Sequence, residues 1–285
     1  MARTSKVYRS AERTDQGWGS RRAKLHPEEK FSMAKYCIEH DFLVRRGTTP
    51  ADSRDTVASI LVNQGTTPNV VVQEALSWMK AHWAAGPFDV TWYTTGGLVN
   101  ATLHDFRTEN PDLGIAAQIF LFPGRVNTDL QAVAGPEAED FVEHLDIDFT
   151  YAFLSAYSFD LDAGRTHFLY SEELRLQQAC AHLYADHKFL FLDASKFKRE
   201  GKRGYGVGAL LEQAKTVTIY TTSSSEDQSI EDSFQGLCNR LLPQSPDEAG
   251  GDLSRARELR LRIVSPNAES AKDLDHVGFL NPSSR

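Results

Sequence analysis

From about residue 56 onward, short runs rich in β-branched and aromatic residues alternate with stretches of helical periodicity. That alternation marks βαβ units, each a strand, a crossover helix and a second, parallel strand. It predicts strands over Val57 to Val62, Val90 to Thr94, Gln118 to Phe122, Phe149 to Leu154, Phe189 to Leu192, Val217 to Tyr220 and Leu259 to Val264. Several are almost wholly apolar, as in IFLF at 119–122 and FLFL at 189–192. Such runs suit strands covered on both faces, as in a parallel sheet. Between them, Val72, Leu76, Met79 and Trp83 recur at helical spacing and define one buried stripe. Leu176, Ala179, Cys180 and Leu183 repeat the pattern, so Cys180 reads as a core residue rather than a reactive thiol. Glu28 to His40 also reads as a helix, packing ahead of the first strand. Pro243 to Asp252 is polar and rich in Pro and Gly, a loop before the last strand, and 267–285 reads as a tail. The predicted fold class is α/β, with a largely parallel sheet.

Composition narrows this further. With 285 residues, 41% hydrophobic and 25% charged, the chain has room for one large domain, or a medium domain with appendages. No apolar run approaches the roughly 20 residues of a bilayer span, so the expectation is a soluble protein with no membrane partner. Three widely spaced cysteines, Cys37, Cys180 and Cys238, suggest neither a disulfide framework nor a zinc site. A reducing cytoplasm fits that usage, and no apolar signal segment follows the basic N-terminus. The net charge of −8 disfavours a nonspecific nucleic-acid binder. The charge is uneven: residues 1–24 hold seven basic groups against Glu12 and Asp15, leaving +5 there and −13 in the remainder. Residues 1–25 therefore read as a basic, disordered arm, either a solvated tail or a segment that touches phosphate or docks a partner.

The most suggestive local chemistry follows the first predicted strand. Gly65, Thr66 and Thr67 form a glycine turn before a helix, with Thr67 as N-cap and Pro68 at the first helical position. Two readings stand: ordinary helix capping, or an anion seat built from free N–H groups, the helix dipole and two hydroxyls. The earlier copy of this motif, Gly47 to Pro50, reads as a surface turn. Thr94-Thr95-Gly96-Gly97, Pro123-Gly124-Arg125, Ser155 to Asp160 and Asp193 to Lys196 follow later strands. In a parallel sheet all these strand ends share one edge, where open α/β sheets bind ligands. Arg125 and Lys196 are placed to neutralise an anion, although Lys196 also fits a solvated lysine before the basic stretch FKREGKRG.

The run DIDFTYAFLSAYSFDLDAGRTHFLYSEELRLQQACAHLYADHKFLFLDASKF resembles the C-terminal effector domain of DeoR-type sugar-metabolism repressors. In register with it, ILVNQGTT resembles that family's D-x-G-T-T phosphate loop and VTWYTTGGL its T-N segment. FLFPGRVNTDLQAVAGPEAEDFVEHL resembles its G-G-R and V-G-P-E-A-E segments, and HPEEKFSMAKYC its linking helix. The resemblance covers about residues 26–265, with AGPEAEDF and DASKF its most specific pieces. It implies a Rossmann-like open sheet with helices on both faces, related to ribose-5-phosphate isomerase and CoA transferases. The implied division is an arm at 1–25, a sensor domain at 26–266 and a tail at 267–285.

By the resemblance, Gly65, Thr66 and Thr67 hold a phosphate, with Gly124 and Arg125 beside it and Thr94 and Thr95 lining the pocket. Asp160, Glu173, Asp193 and Lys196 face sugar hydroxyls or fix the loops that do. The chain departs from the family pattern around the ligand: Asn63 stands where aspartate is common, and Gln177 where lysine is frequent. Tyr157 and Ser158 replace an Asp-Gly pair, so Tyr157 joins the expected ligand-contacting residues. A winged helix needs roughly 50 to 60 residues before the linking helix, and about 25 polar ones stand here, so the expectation is a sensor without its DNA reader.

The first expectation is therefore a ligand-sensing regulator of transcription. It binds a phosphorylated sugar or similar anion, forms a homo-oligomer, and reaches DNA only indirectly or through a partner. The alternative is a sugar-phosphate isomerase-like enzyme with Glu173 and Lys196 as catalytic groups, although a first-turn acid such as Glu173 also simply complements a helix dipole. A third is a scaffold whose loop set is closed by Tyr157. No cofactor is implied, since P-loop, GxGxxG and HExxH motifs are missing from the sequence. His182 and His187, read as five apart on a helix, make a poor metal pair.

Overall fold

The computed structural model describes residues 26–42, 58–82, 90–111, 118–128, 131–198, 202–242 and 256–280. The chain opens with α1 (Pro27–Tyr36), extended by a π-helical turn at Cys37–Phe42. It continues through β1 (Ala58–Val62), α2 (Thr66–Ala81), β2 (Val90–Thr94), α3 (Gly97–Glu109) and β3 (Gln118–Leu121). A hairpin of β4 (Arg125–Asn127) and β5 (Ala132–Ala134) leads into α4 (Pro136–Glu143) and β6 (Phe149–Ser155). A second hairpin, β7 (Ser158–Asp160) and β8 (Arg165–Phe168), leads into α5 (Ser171–His182) and β9 (Ala185–Phe191). After a 3-10 turn at Ala194–Lys198 come β10 (Lys202–Gly206), α6 (Val207–Glu212), β11 (Ala214–Thr222), α7 (Asp227–Leu241), β12 (Ala256–Val264) and β13 (Ala271–Phe279).

Eight strands form one sheet in the order β13-β12-β11-β9-β6-β1-β2-β3. Every pairing is parallel except β12 with β13. The pleat sends neighbouring side chains to opposite faces. Leu61, Leu154, Leu190, Ile219 and Leu261 therefore enter one core with α4 to α7, while Ile60, Val62, Phe153 and Phe191 enter another with α1, α2 and α3. This two-sided burial is why the central strands read as continuous apolar runs. The fold is α/β and Rossmann-like, with helices on both faces. From β1 the chain steps outward to β2 and β3. From β6, the other neighbour of β1, it steps the opposite way to β9, β11 and β12. The reversal between β1 and β6 makes their carboxyl ends the topological switch point. Among the described residues, no helix is long and apolar enough to cross a membrane.

Several expectations are corrected. The segment read as a tail contains β13, a nine-residue strand paired with β12 from Val264↔Ala271 to Ala256↔Phe279. Helix α2 begins at Thr66 with Gly65 in the capping position, so Thr67 is not the N-cap; it lies buried in the first turn, with Pro68 one residue later. His187 belongs to β9, not to a helix. The two hairpins and β10 go unpredicted because their strands are short and mostly polar or small, as in RVN, SFD and KRGYG, without the apolar run that marks the equally short β1 to β3. Cys180 does lie in the core, fully buried. The arm at 1–25, the turn at 47–50, Trp83 and the loop from Pro243 to Asp252 lie outside the described residues.

Candidate functional site

The sheet's carboxyl edge gathers the loops after β1, β2, β6 and β9. Gly65, at φ +154°, turns the chain from β1 into α2. A Cβ there would lie 3.1 Å from Pro68 Cδ and 3.3 Å from Ser155 Oγ, so only glycine lets the loops after β1 and β6 approach this closely. Thr95 Oγ1 accepts from the Gln64 N–H at 3.2 Å, and Thr94 Oγ1 accepts from the Gly96 N–H at 2.9 Å. Both threonines are fully buried; Thr95 joins the first two loops, and Thr94 fixes the turn of its own loop. Asn63, also fully buried, donates through Nδ2 to Ser155 O at 3.2 Å and to Gln177 Oε1 at 2.6 Å. Lys196 Nζ donates to Ala156 O at 2.8 Å, tying the loop after β9 to the loop after β6.

Two further predicted residues, Asp193 and Glu173, stand near this frame. Asp193 is 2% exposed; its carboxylate accepts from Ser195 Oγ and its carbonyl from the Lys196 N–H, so it closes the 3-10 turn. Ala194 N–H reaches Thr222 Oγ1 at 3.4 Å, and that hydroxyl donates to Glu29 Oε2 at 2.9 Å, linking the edge to α1. Glu173 lies in the first turn of α5 and is 6% exposed, one helical turn before Gln177. Burial, then Cys180 and Glu173, push the Tyr205 phenol well above its ordinary range.

Of the remaining predicted residues, Arg125 and Asp160 make their contacts elsewhere. Gly124 (φ +143°) packs against Val133 and Ala138, where an added Cβ would meet Val133 Cγ1 at 2.6 Å. The hairpin it opens is fastened to the loop after β2 by Val133 N–H to Thr95 O, at 2.8 Å. Arg125 itself is exposed and faces Glu137 at 3.5 Å. Asp160 is exposed and accepts from the Ala163 N–H at 2.9 Å, which makes it a turn residue of the β7–β8 hairpin. Tyr157 is half-buried, its N–H bonded to His167 O at 3.1 Å. Thr66 and Thr67 both lie in the first turn of α2, whose free N–H groups point toward the edge.

What the sequence does not single out is Gln64, buried beside Asn63 between an apolar strand and a glycine. Its signal is positional: two consecutive amides close a run that is otherwise apolar. A surface groove of about 400 Å3 between α4 and α5, lined by Glu139, Val142, Arg175, Gln178 and His182, contains none of the predicted residues. Among the described residues no cluster of His, Cys, Asp and Glu is suited to a metal ion. Compared with known proteins, the chain matches no family model and no curated sequence.

Proposed function

We propose that the protein is a ligand-sensing regulator of the DeoR type that binds a phosphorylated sugar or a similar small anion at the carboxyl edge. The observation that carries this reading is the start of α2. A sixteen-residue helix begins at a glycine of positive φ beside the switch point, and the two residues before that glycine, Asn63 and Gln64, carry buried amide atoms with no partner among the described residues. A helix N-terminus offers N–H donors and a positive dipole end to an anion. Lys196, held over the same loops, adds positive charge. The net charge of −8 fits a protein that reaches DNA through an attached or associated partner. Self-association is part of the proposal, and light scattering at micromolar concentration should return a mass above that of one chain. Calorimetric titration with a panel of sugar phosphates tests the ligand. Saturable binding that Gly65→Val abolishes is expected, and a full panel without heat or thermal stabilisation sinks the reading.

A second reading, an isomerase-like enzyme, draws on one observation. First-turn acids that only complement a dipole usually remain solvated, yet Glu173 is 6% exposed. Incorporation of solvent deuterium into a sugar phosphate, lost in Glu173→Gln, would establish it. Unlabelled substrate after prolonged incubation at high protein concentration removes it.

A further inference from the structure

The eight-stranded sheet ends in two outer strands, β13 and β3, and these are guarded differently. An outer strand presents unpaired N–H and C=O groups, and soluble proteins commonly blunt it with charged side chains. β13 follows that practice, since Lys272, Asp273 and Asp275 interrupt it. β3 reads Gln-Ile-Phe-Leu, and from residue 113 to 124 the sequence holds no charged side chain. Phe120 and Leu121, on opposite faces of that strand, are 46% and 44% exposed. On the face of Phe120 the apolar surface continues. Phe120 stacks on Tyr93 with ring centroids 5.0 Å apart. Phe122, two residues on, packs at 5.4 Å against Phe141 of α4, which is itself exposed.

Charge decides what fits this strip. Beyond residue 24 the chain carries −13, so two copies repel over most of their surface and approach best where charge is lacking. The strip at β3 is such a place, and Arg125, which ends it, is already matched by Glu137 at 3.5 Å. A strand that carries neither sign of charge is complementary to itself. We propose that β3 is a self-association surface, pairing antiparallel with β3 of a second copy about a two-fold axis normal to the sheet. Pairing centred on Phe120 sets Phe120 against its copy on one face and Ile119 against Leu121 on the other. Apolar side chains then meet apolar ones on both faces, and the open backbone groups of the strand find partners. Self-association is already part of the functional reading on which this rests; β3 supplies its surface.

Sedimentation equilibrium on the full chain across the micromolar range is the test. The parent chain should sediment as a dimer. Leu121→Lys places a charge on the open strand and should raise the dimer dissociation constant about a hundredfold or more. Val277→Lys, at an exposed position of β13, should leave it unchanged. Phe120→Lys gives the same readout from the other face if Leu121→Lys fails to fold by circular dichroism. An unchanged dissociation constant in both lysine variants of β3 overturns the surface and leaves self-association standing, as does an equal weakening by Val277→Lys. A parent chain that is monomeric throughout overturns self-association and this surface together. Calorimetric titration of the same sample with inorganic phosphate then shows separately whether the anion site stands.

Discussion

The Asn63 side chain donates to Gln177 across 2.6 Å, joining the end of β1 to the inner face of α5 over a separation of 114 residues. Because Asn63 also donates to Ser155 O, one amide nitrogen holds three segments of the carboxyl edge in register.

Replacing that donor by an acceptor is a direct test. In Asn63→Asp, a carboxylate would face the Ser155 carbonyl and the Gln177 amide oxygen in a fully buried position. A loss of about 2–4 kcal/mol is expected from the desolvated, unpaired acceptors. Urea denaturation at neutral pH measures it; a midpoint equal to the parent chain's would show that these bonds do not hold the edge.

Lys188 offers a second prediction. It is fully buried on β9, donates to Ala181 O at 2.7 Å near the C-terminus of α5, and burial draws its pKa from 10.5 down to about 7. Below about pH 7 both folded and unfolded chains carry the proton, and the full cost of burying the charge is present. Between about 7 and 10.5 the unfolded chain binds more protons than the folded one, so stability rises with pH. At about 1.4 kcal/mol per pKa unit, the penalty at pH 6 amounts to several kcal/mol. Lys188→Met should therefore raise Tm most at pH 6 and by progressively less toward pH 10. A gain independent of pH would show that Lys188 is not titrating in the fold.

The link between α1 and the far edge of the sheet is ionic. Tyr220 donates its hydroxyl to Asp41, whose carboxylate lies 3.7 Å from Arg262 Nε and 3.6 Å from Arg260 Nη1. Arg262, 6% exposed at its side chain, also pairs with Asp275 and, at 3.3 Å, with Asp273. Burial pulls the Arg262 pKa down, but its hydrogen bond to Asp275 and the charges of Asp41, Asp273 and Asp275 outweigh that and hold it above its ordinary value. Arg262→Ala would leave three carboxylates around a vacated cation. A destabilisation of about 3–5 kcal/mol is expected, readable by thermal melting. Loss of less than about 1 kcal/mol would reduce the network to the worth of surface pairs.

Removing β13 should be equally costly. The strand covers β12 along nine residue pairs, and Gly278 approaches Leu242 so closely that an added Cβ would meet the Leu242 carbonyl oxygen at 2.5 Å. A chain ending at Ser265 exposes the whole of β12 as an unpaired, largely buried-type edge. Static light scattering should report aggregation of the truncated chain at concentrations where the full chain is not aggregated. A truncated chain that stays dispersed and melts like the parent would return this segment to the status of a tail.

How far the molecule is legible from its sequence depends on burial. Phe149 to Ser155 and Ala185 to Phe191 are covered on both faces, and their apolar runs announce strands directly. In β13, Lys272, Asp273 and Asp275 interrupt any apolar run, because an edge strand keeps one side in water and here spends two of its acids on Arg262. Asp193 and Lys196 were legible as residues at a strand end, but their bonds to Ser195 and Ala156 are tertiary facts. Asp160 occupies a motif position and yet folds into a local turn, since an aspartate's nearest N–H is often its best partner.

Taken alone, the order of apolar and polar residues determined the central strands and the longer helices, the parallel character of those strands and the edge to which their loops belong. Those properties follow from local periodicity and from the direction in which successive strands run. Tertiary structure decided that β6 lies beside β1, that Asn63 meets Gln177, and that Arg125 pairs with Glu137 away from the buried amides. Such choices depend on strand order and side-chain packing over separations of many tens of residues, where no periodicity carries the information and only the balance of burial and hydrogen bonding does.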